Sequence, residues 1–366
     1  MLIAAPEPRP VLTVVLGRMR GESREPAMKG HIPNVPAEPA HPRMGAAGQG
    51  SVLAAGTGAR YAEGEHRVGT MTNTGERDGI RRGRDSYKLE LASGMRWEIG
   101  SSQNTASRLN EFTRILGLGH SNGGSDRRLL FTRGVTLPVL PRTRWKTKKL
   151  RLIQFHYRVD KPEVICDLGS MYPSIIEVFK LQDALFPIYE EVQDSGGVPF
   201  HSALIERNGM GVVIAAPGGT GKTTCCNRIP RPWKVCCDDD SVIVKGEGGR
   251  YMVHPFPTWS RYAKGESPRK WKVERALPLK AIFFLERSDR RDEVFKITNY
   301  EAAVRASGMH SQMLDDVWSY LDVSEQHRVR AKFFSNAADL AGAVPSFVLR
   351  ARIDGRFWEE MEKVLT

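Results

Sequence analysis

The spacing of apolar residues changes along this chain, and each change marks an element. Residues 87–92 alternate apolar and polar side chains, Ser93-Gly94 supplies a turn, and 96–99 alternate again, which predicts a β-hairpin. Over 105–116 the period lengthens. Leu109, Phe112, Ile115 and Leu116 then share one helical face, and Gly117 stops the helix. Stretches 150–155 and 164–166 predict strands, and Pro173 opens a helix through Ile175, Ile176, Val178 and Phe179. Further on, the unbroken apolar run 211–216 reads as a buried strand, and 234–237 and 241–244 as two short ones. Residues 281–285 and 344–353 predict two more strands, with helices from Glu301 onward and over 357–365. The sum is an α/β fold with several antiparallel elements and no internal repeat.

The run 211–216 feeds directly into Ala216-Pro217-Gly218-Gly219-Thr220-Gly221-Lys222-Thr223, followed by a short helical stretch, 223–229. Strand, glycine loop and helix are the context in which such a loop cradles phosphates. Gly218, Gly219 and Gly221 let the backbone curl so that N–H groups face an anion, and the helix start adds positive potential. Lys222 is then placed to reach the β- and γ-phosphates of a nucleoside triphosphate, and Thr223 to hold Mg²⁺, with Thr224 beside it. Pro230 and Pro232 end the helix early, and Asp238-Asp239-Asp240 arrives sixteen residues after Lys222, at the end of the strand 234–237. Three adjacent carboxylates repel and call for a cation.

These residues, together with Gly196-Gly197-Val198-Pro199-Phe200-His201-Ser202-Ala203-Leu204-Ile205-Glu206, resemble the core of the HPr kinase/phosphorylase superfamily. That superfamily shares its fold core with ATP-dependent phosphoenolpyruvate carboxykinases. The resemblance implies a P-loop kinase core with a mixed sheet. It also implies that Asp239, or its neighbour Asp238, is the general base for an acceptor hydroxyl, that His201 modulates that proton, and that Thr223 and Asp238 hold the metal. More closely, the chain resembles the shorter HPr-kinase-like C proteins of the SynChlorMet cassette. The residues that carry this are 218–226, Arg228-Ile229-Pro230-Arg231-Pro232-Trp233, His254-Pro255-Phe256-Pro257-Thr258-Trp259-Ser260 and 278–286. No Gly-Arg-Asn segment of the HPr-directed kind follows the aspartates, so the resemblance does not extend to HPr as substrate.

Composition bounds the remainder. Of the 366 residues, the first 70 are rich in Pro, Gly, Ala and Glu and show no hydrophobic period, so they read as a disordered extension, with Met71 as a second plausible start. The expected organisation is therefore 1–70, an N-terminal α/β region over 71–185, and an ATP-binding domain over 186–366. The net charge is +12, but 24 Lys and Arg against 13 Asp and Glu lie before residue 151. The runs 81–84 and 142–149 would attract RNA or an acidic peptide, yet no nucleic-acid module accompanies them, and they read as a solvated basic face or linker. The five cysteines are odd in number, and the pairs Cys225-Cys226 and Cys236-Cys237 lack zinc-site spacing, so they read as small buried hydrophobes. No apolar run is long enough to span a membrane, and a cytoplasmic protein is expected.

The expected function is Mg²⁺–ATP-dependent phosphoryl transfer to a Ser or Thr hydroxyl of a peptide or protein; an oligomer stays open. The alternative is a nucleotide-binding regulatory subunit of a biosynthetic assembly. The stretch 254–262 reads either as a rigid aromatic loop gripping the acceptor or the adenine, with Arg261 stabilising transition-state charge, or as a structural Pro-rich crossover.

Overall fold

The computed structural model describes residues 82–134, 145–266, 271–318 and 321–365. The chain divides into two units, Met1–Thr70 and Met71–Thr366, and the first lies outside the described residues, as does the Arg142–Arg144 part of the second basic run.

The N-terminal sheet opens with the expected hairpin. β1 (Arg82–Glu90) pairs antiparallel with β2 (Arg96–Ser102), Glu90 lying opposite Arg96. The helical face at 105–116 becomes α1 (Ala106–Leu116), with Leu109, Phe112, Ile115 and Leu116 all buried. Gly117 ends it at φ +71°, and a Cβ there would meet the Trp271 carbonyl at 2.5 Å, so no larger residue fits. β3 (Gly119–His120), β4 (Arg127–Thr132), β5 (Trp145–Leu150), β6 (Ile153–Arg158) and β7 (Glu163–Asp167) complete a seven-stranded sheet in the order β3-β1-β2-β4-β7-β6-β5. Its pairings are mixed: β2–β4 and β4–β7 are parallel and the rest antiparallel.

Two expectations change here. The stretch 150–155 is a tight hairpin rather than one strand, with Leu150 paired to Ile153. The turn carries no Gly or Asn. Arg151 adopts φ +48°, and its guanidinium bonds the Asp183 carboxylate, with Nε to Oδ2 at 3.0 Å. That tertiary contact has no local sequence signal. Likewise Lys146 to Lys149 belong to a strand and not to a linker.

α2 (Ser174–Asp183), opened by Pro173 as expected, and α3 (Phe186–Asp194) lead to the second sheet. β8 (Val198–Arg207) and β9 (Met210–Ala215) form a hairpin, and α4 (Lys222–Arg228) follows β9 through the glycine loop. β10 (Lys234–Cys237), β11 (Asp240–Lys245), β12 (Tyr251–Phe256), the short α5 (Trp259–Ala263), β13 (Leu277–Arg287) and β14 (Glu293–Lys296) come next. α6 (Asn299–Trp318), α7 (Val323–Ala343), β15 (Ser346–Ala351) and α8 (Phe357–Leu365) end the chain.

The pairings β8–β9, β9–β13, β13–β12, β12–β11 and β11–β8 close a ring, with β10 beside β8 and β15–β14 extending from β13. The apolar run of β9 follows from burial on both faces. Val213 and Ala215 join a large core that also contains Leu89 and Phe155 of the first sheet and Phe112 of α1. Val212 and Ile214 face a second core with Cys225, Cys226, Phe357 and Met361. Three of the four late cysteines are thus buried packing residues, and Cys236 is half-buried.

Candidate functional site

Three neighbouring strands and one loop bring the site together. β9 ends at Ala215, and the loop that follows turns on Gly219 at φ +75° and Gly221 at φ +122°, both in the region that L side chains avoid. Gly218, Gly219 and Gly221 have open space where a Cβ would sit. The loop is tied from outside by Arg287, at the end of β13. Its Nε donates to the Thr220 carbonyl at 3.0 Å and a second nitrogen donates to the Gly219 carbonyl. With those carbonyls turned outward to Arg287, the loop is held in one shape.

Lys222 is 6 % exposed and folds back against its own loop, Nζ donating to the Ala216 carbonyl at 2.7 Å and to His201 Nε2 at 2.8 Å. Burial lowers its pKa from the ordinary lysine value, against the pull of Asp239 and Asp240. Because His201 Nε2 faces an ammonium, it is the acceptor, which leaves the ring proton on Nδ1. That nitrogen lies 3.4 Å from an oxygen of Asp239 and 3.4 Å from one of Asp240.

Register explains how two adjacent acids reach one histidine. Cys237 lies opposite Leu204 and Asp240 opposite His201, the same offset along β8 on either side of a break at Asp238-Asp239. Cys237 Sγ spans the break to the Asp240 carbonyl at 2.9 Å. The ligand atoms of His201, Asp239 and Asp240 all fall within 4.8 Å of one another, a donor set able to hold a metal ion. Burial, and next the Asp240 charge, push the Asp239 carboxyl up to about 6, while His201 and Lys222 pull the other way.

Asp238 points elsewhere. Its Oδ1 accepts from Thr258 Oγ1 at 2.6 Å and its Oδ2 from Arg261 at 3.3 Å. Thr223 and Thr224 sit exposed on the first turn of α4. Sequence reasoning thus placed Lys222, His201 and Asp239 in one site, and the structure brings them together. It did not single out Asp240 as the third member of the cluster, although the acid run contained it. Thr258 lay within the stretch 254–262 but was given no role there, and Arg287 had no local signal at all.

The stretch 254–262 takes a structural part at its front. His254 is fully buried, Nε2 accepting from the Ala92 N–H at 3.0 Å and Nδ1 donating to the Val273 carbonyl at 2.6 Å. Burial pushes its pKa down to about 4, so the ring is neutral. Trp259 packs in the core, stacked 6.4 Å from Phe112.

Fold and site define a mixed α/β protein of two mixed sheets, the second presenting a glycine loop, a buried lysine and a His–Asp–Asp cluster. The family model described as SynChlorMet cassette protein ScmC matches residues 164–366, more than half of the chain, and the chain belongs to that family. The match covers the whole second sheet and the site. Comparison with curated proteins finds no match. Among the described residues no helix is long and apolar enough to cross a membrane.

Proposed function

We propose that the chain is an HPr-kinase-like, Mg²⁺–ATP-dependent kinase that transfers a phosphoryl group to a Ser or Thr hydroxyl of a peptide or protein, within a peptide-modification cassette. The observation that carries this reading is the chain of contacts from the glycine loop through Lys222 and His201 to Asp239 and Asp240. The loop suits a triphosphate by its chemistry. Its three glycines leave the backbone accessible, and Lys222 has no carboxylate within ion-pairing distance among the described residues. The N–H groups of Gly218, Gly219, Thr220 and Gly221 would hold phosphate oxygens with Lys222, and Thr223 and Thr224 flank them.

For the metal, the geometry favours Asp240 over Asp238, whose oxygens already receive Thr258 and Arg261; Thr223 keeps its part from its place in the loop motif. When bound, the nucleotide and its metal supply the transferable phosphoryl group and neutralise its charge. The protein's own part is positioning and proton handling. Asp239 takes the proton of the acceptor hydroxyl; a carboxyl pushed up to about 6 is a better base near neutral pH than an ordinary aspartate. His201 orients that carboxylate through Nδ1 while its Nε2 is fixed by Lys222.

The test is single-turnover transfer from labelled ATP to candidate acceptor peptides, with nucleotide binding measured separately. Asp239→Asn is expected to change ATP affinity modestly and to slow transfer by about a hundredfold or more, the scale of a lost general base. Lys222→Ala is expected to abolish ATP binding. Unimpaired transfer by Asp239→Asn would move the base to Asp238 or Asp240. Tight Mg²⁺–ATP binding by the wild type with no transfer to any acceptor would support a regulatory subunit instead.

A further inference from the structure

The basic run Lys146 to Lys149 has no part in the site above. It forms most of β5, the outermost strand of the first sheet, and among the described residues no strand pairs with its far side. Lys146, Thr147, Lys148 and Lys149 all line one cavity of about 670 Å³. Successive side chains of a strand point to opposite faces, so a cavity that touches four in a row runs along the strand's edge. Unpaired backbone N–H and C=O groups of an edge strand point into that space. The opposite wall is the start of α7, from Leu321 to Arg328.

The charge of this slot is unbalanced. Lys148 is held by Glu190 at 2.5 Å and Glu325 at 2.7 Å, and Arg328 also pairs with Glu325. Asp322 caps α7, its Oδ1 accepting from the Glu325 N–H at 2.8 Å. Lys146 and Lys149, both exposed, have no ion-pair partner among the described residues. The slot therefore combines a strand edge that no strand pairs with and two ammonium groups without an ion-pair partner, both among the described residues, with Lys148 reaching across to Glu325.

We infer that β5 docks an acidic segment of a partner polypeptide, which adds to the sheet as a further strand. Backbone hydrogen bonds would supply affinity and the lysines would select sign of charge. A second copy of this chain fits poorly, because pairing two β5 edges sets lysine against lysine. The chain's own first 70 residues fit poorly too, since basic residues outnumber acidic ones there and no acidic run occurs. This inference stands apart from the phosphoryl-transfer reading: β5 lies outside both the described site and the segment 164–366.

The test uses the full chain and a fluorescein-labelled (Glu-Val)₄ peptide in anisotropy titrations. Three comparators are (Lys-Val)₄, (Glu-Val)₄ with alternate backbone nitrogens methylated, and an oligouridylate. Binding of (Glu-Val)₄ is expected, weakening as salt rises. It should weaken about tenfold or more in the Lys146→Glu/Lys149→Glu variant, since rim charges of this kind govern encounter and specificity. Methylation should cost at least as much while leaving every charge and the protein unchanged. Equal binding of the methylated peptide would overturn strand addition, and equal binding by the charge-reversed variant would overturn the role of the lysines. Oligouridylate binding in place of the acidic peptide would identify a nucleic-acid surface. No binding of the acidic peptide below about 1 mM would leave the lysines as a guard against edge-to-edge association. Either result rejects the inference.

Discussion

Lys180 in α2 and Lys222 at the start of α4 are both nearly inaccessible, 1 % and 6 % exposed, yet their surroundings differ in kind. Lys180 donates to the Leu168 carbonyl at 2.7 Å, the Ser170 carbonyl at 2.6 Å and the Glu177 carboxylate at 2.9 Å. Arg133 holds the other Glu177 oxygen at 2.6 Å and the Gly169 carbonyl at 2.7 Å. Burial alone would raise the Glu177 carboxyl, but hydrogen bonds from Lys180 and Arg133 overcome it and hold the group below its ordinary value. Every charge there has an opposite charge in contact, and the cluster knots the loop before α2 onto the helix. Lys222 instead meets carbonyls and the His201 imidazole, whose other nitrogen faces the Asp239 and Asp240 carboxylates. A buried cation in direct contact with its anion is structural. A buried cation kept one residue away from its anions is free to take on a ligand's charge, at a cost in desolvation that its lowered pKa records.

Breaking each cluster should separate stability from binding. Lys180→Met takes the lysine from the buried Glu177 carboxylate, which keeps Arg133, Arg108 and the Tyr172 N–H, and leaves the Leu168 and Ser170 carbonyls without their ammonium donor. Unfolding free energy is expected to fall by about 3 kcal/mol, or roughly 10 °C in melting temperature. Lys222→Met takes no partner from a carboxylate in hydrogen-bond contact, and its melting temperature should stay within about 2 °C of wild type while nucleotide binding is lost. Calorimetry on both variants decides this. A large loss in Lys222→Met with a small one in Lys180→Met would invert the comparison.

The two histidines of the second sheet extend the contrast into pH. His254 has a folded pKa of about 4, below its unfolded value near 6.5, so the unfolded state binds more protons between them. Its contribution to stability is full above about pH 6.5 and is lost as pH falls toward 4, about 3 kcal/mol in total. Asp239, raised to about 6 from an unfolded value near 4, acts the other way: its protonated form favours the folded state, and that contribution fades as pH rises from about 4 to 6. Denaturant titrations across pH 4–7 should therefore show the slope of stability against pH become less positive in His254→Gln and more positive in Asp239→Asn. A slope unchanged by His254→Gln would mean that the ring is not the buried neutral group its partners require.

The smallest effect concerns the acid pair itself. Asp240 contributes to the raised pKa of Asp239, second to burial, so Asp240→Asn should move the Asp239 titration downward without returning it to the ordinary aspartate range. Carbon-13 carboxylate titration of the ligand-free protein reads this directly. An upward shift would show that Asp240 acts there mainly as a hydrogen-bond partner.

Much of this protein was legible from local pattern. The α1 face, the β1–β2 hairpin, the β9 strand with its glycine loop, and α8 each follow from periodicity and from glycine and proline positions, because steric limits and burial act within a few residues of the signal. The chemistry of Lys222, His201 and Asp239 was legible as residue types at the right spacing. What the sequence could not determine arises from contacts far apart in the chain. The turn at Arg151 rests on Asp183, and the shape of the glycine loop rests on Arg287. The neutrality of His254 rests on Ala92 and Val273, and the choice of Asp240 over Asp238 rests on strand register and on Thr258 and Arg261. Local sequence determines which groups are present and what backbone they prefer. Which of them face one another, and so which carry charge into a buried site, depends on packing between strands that only the folded chain brings into contact.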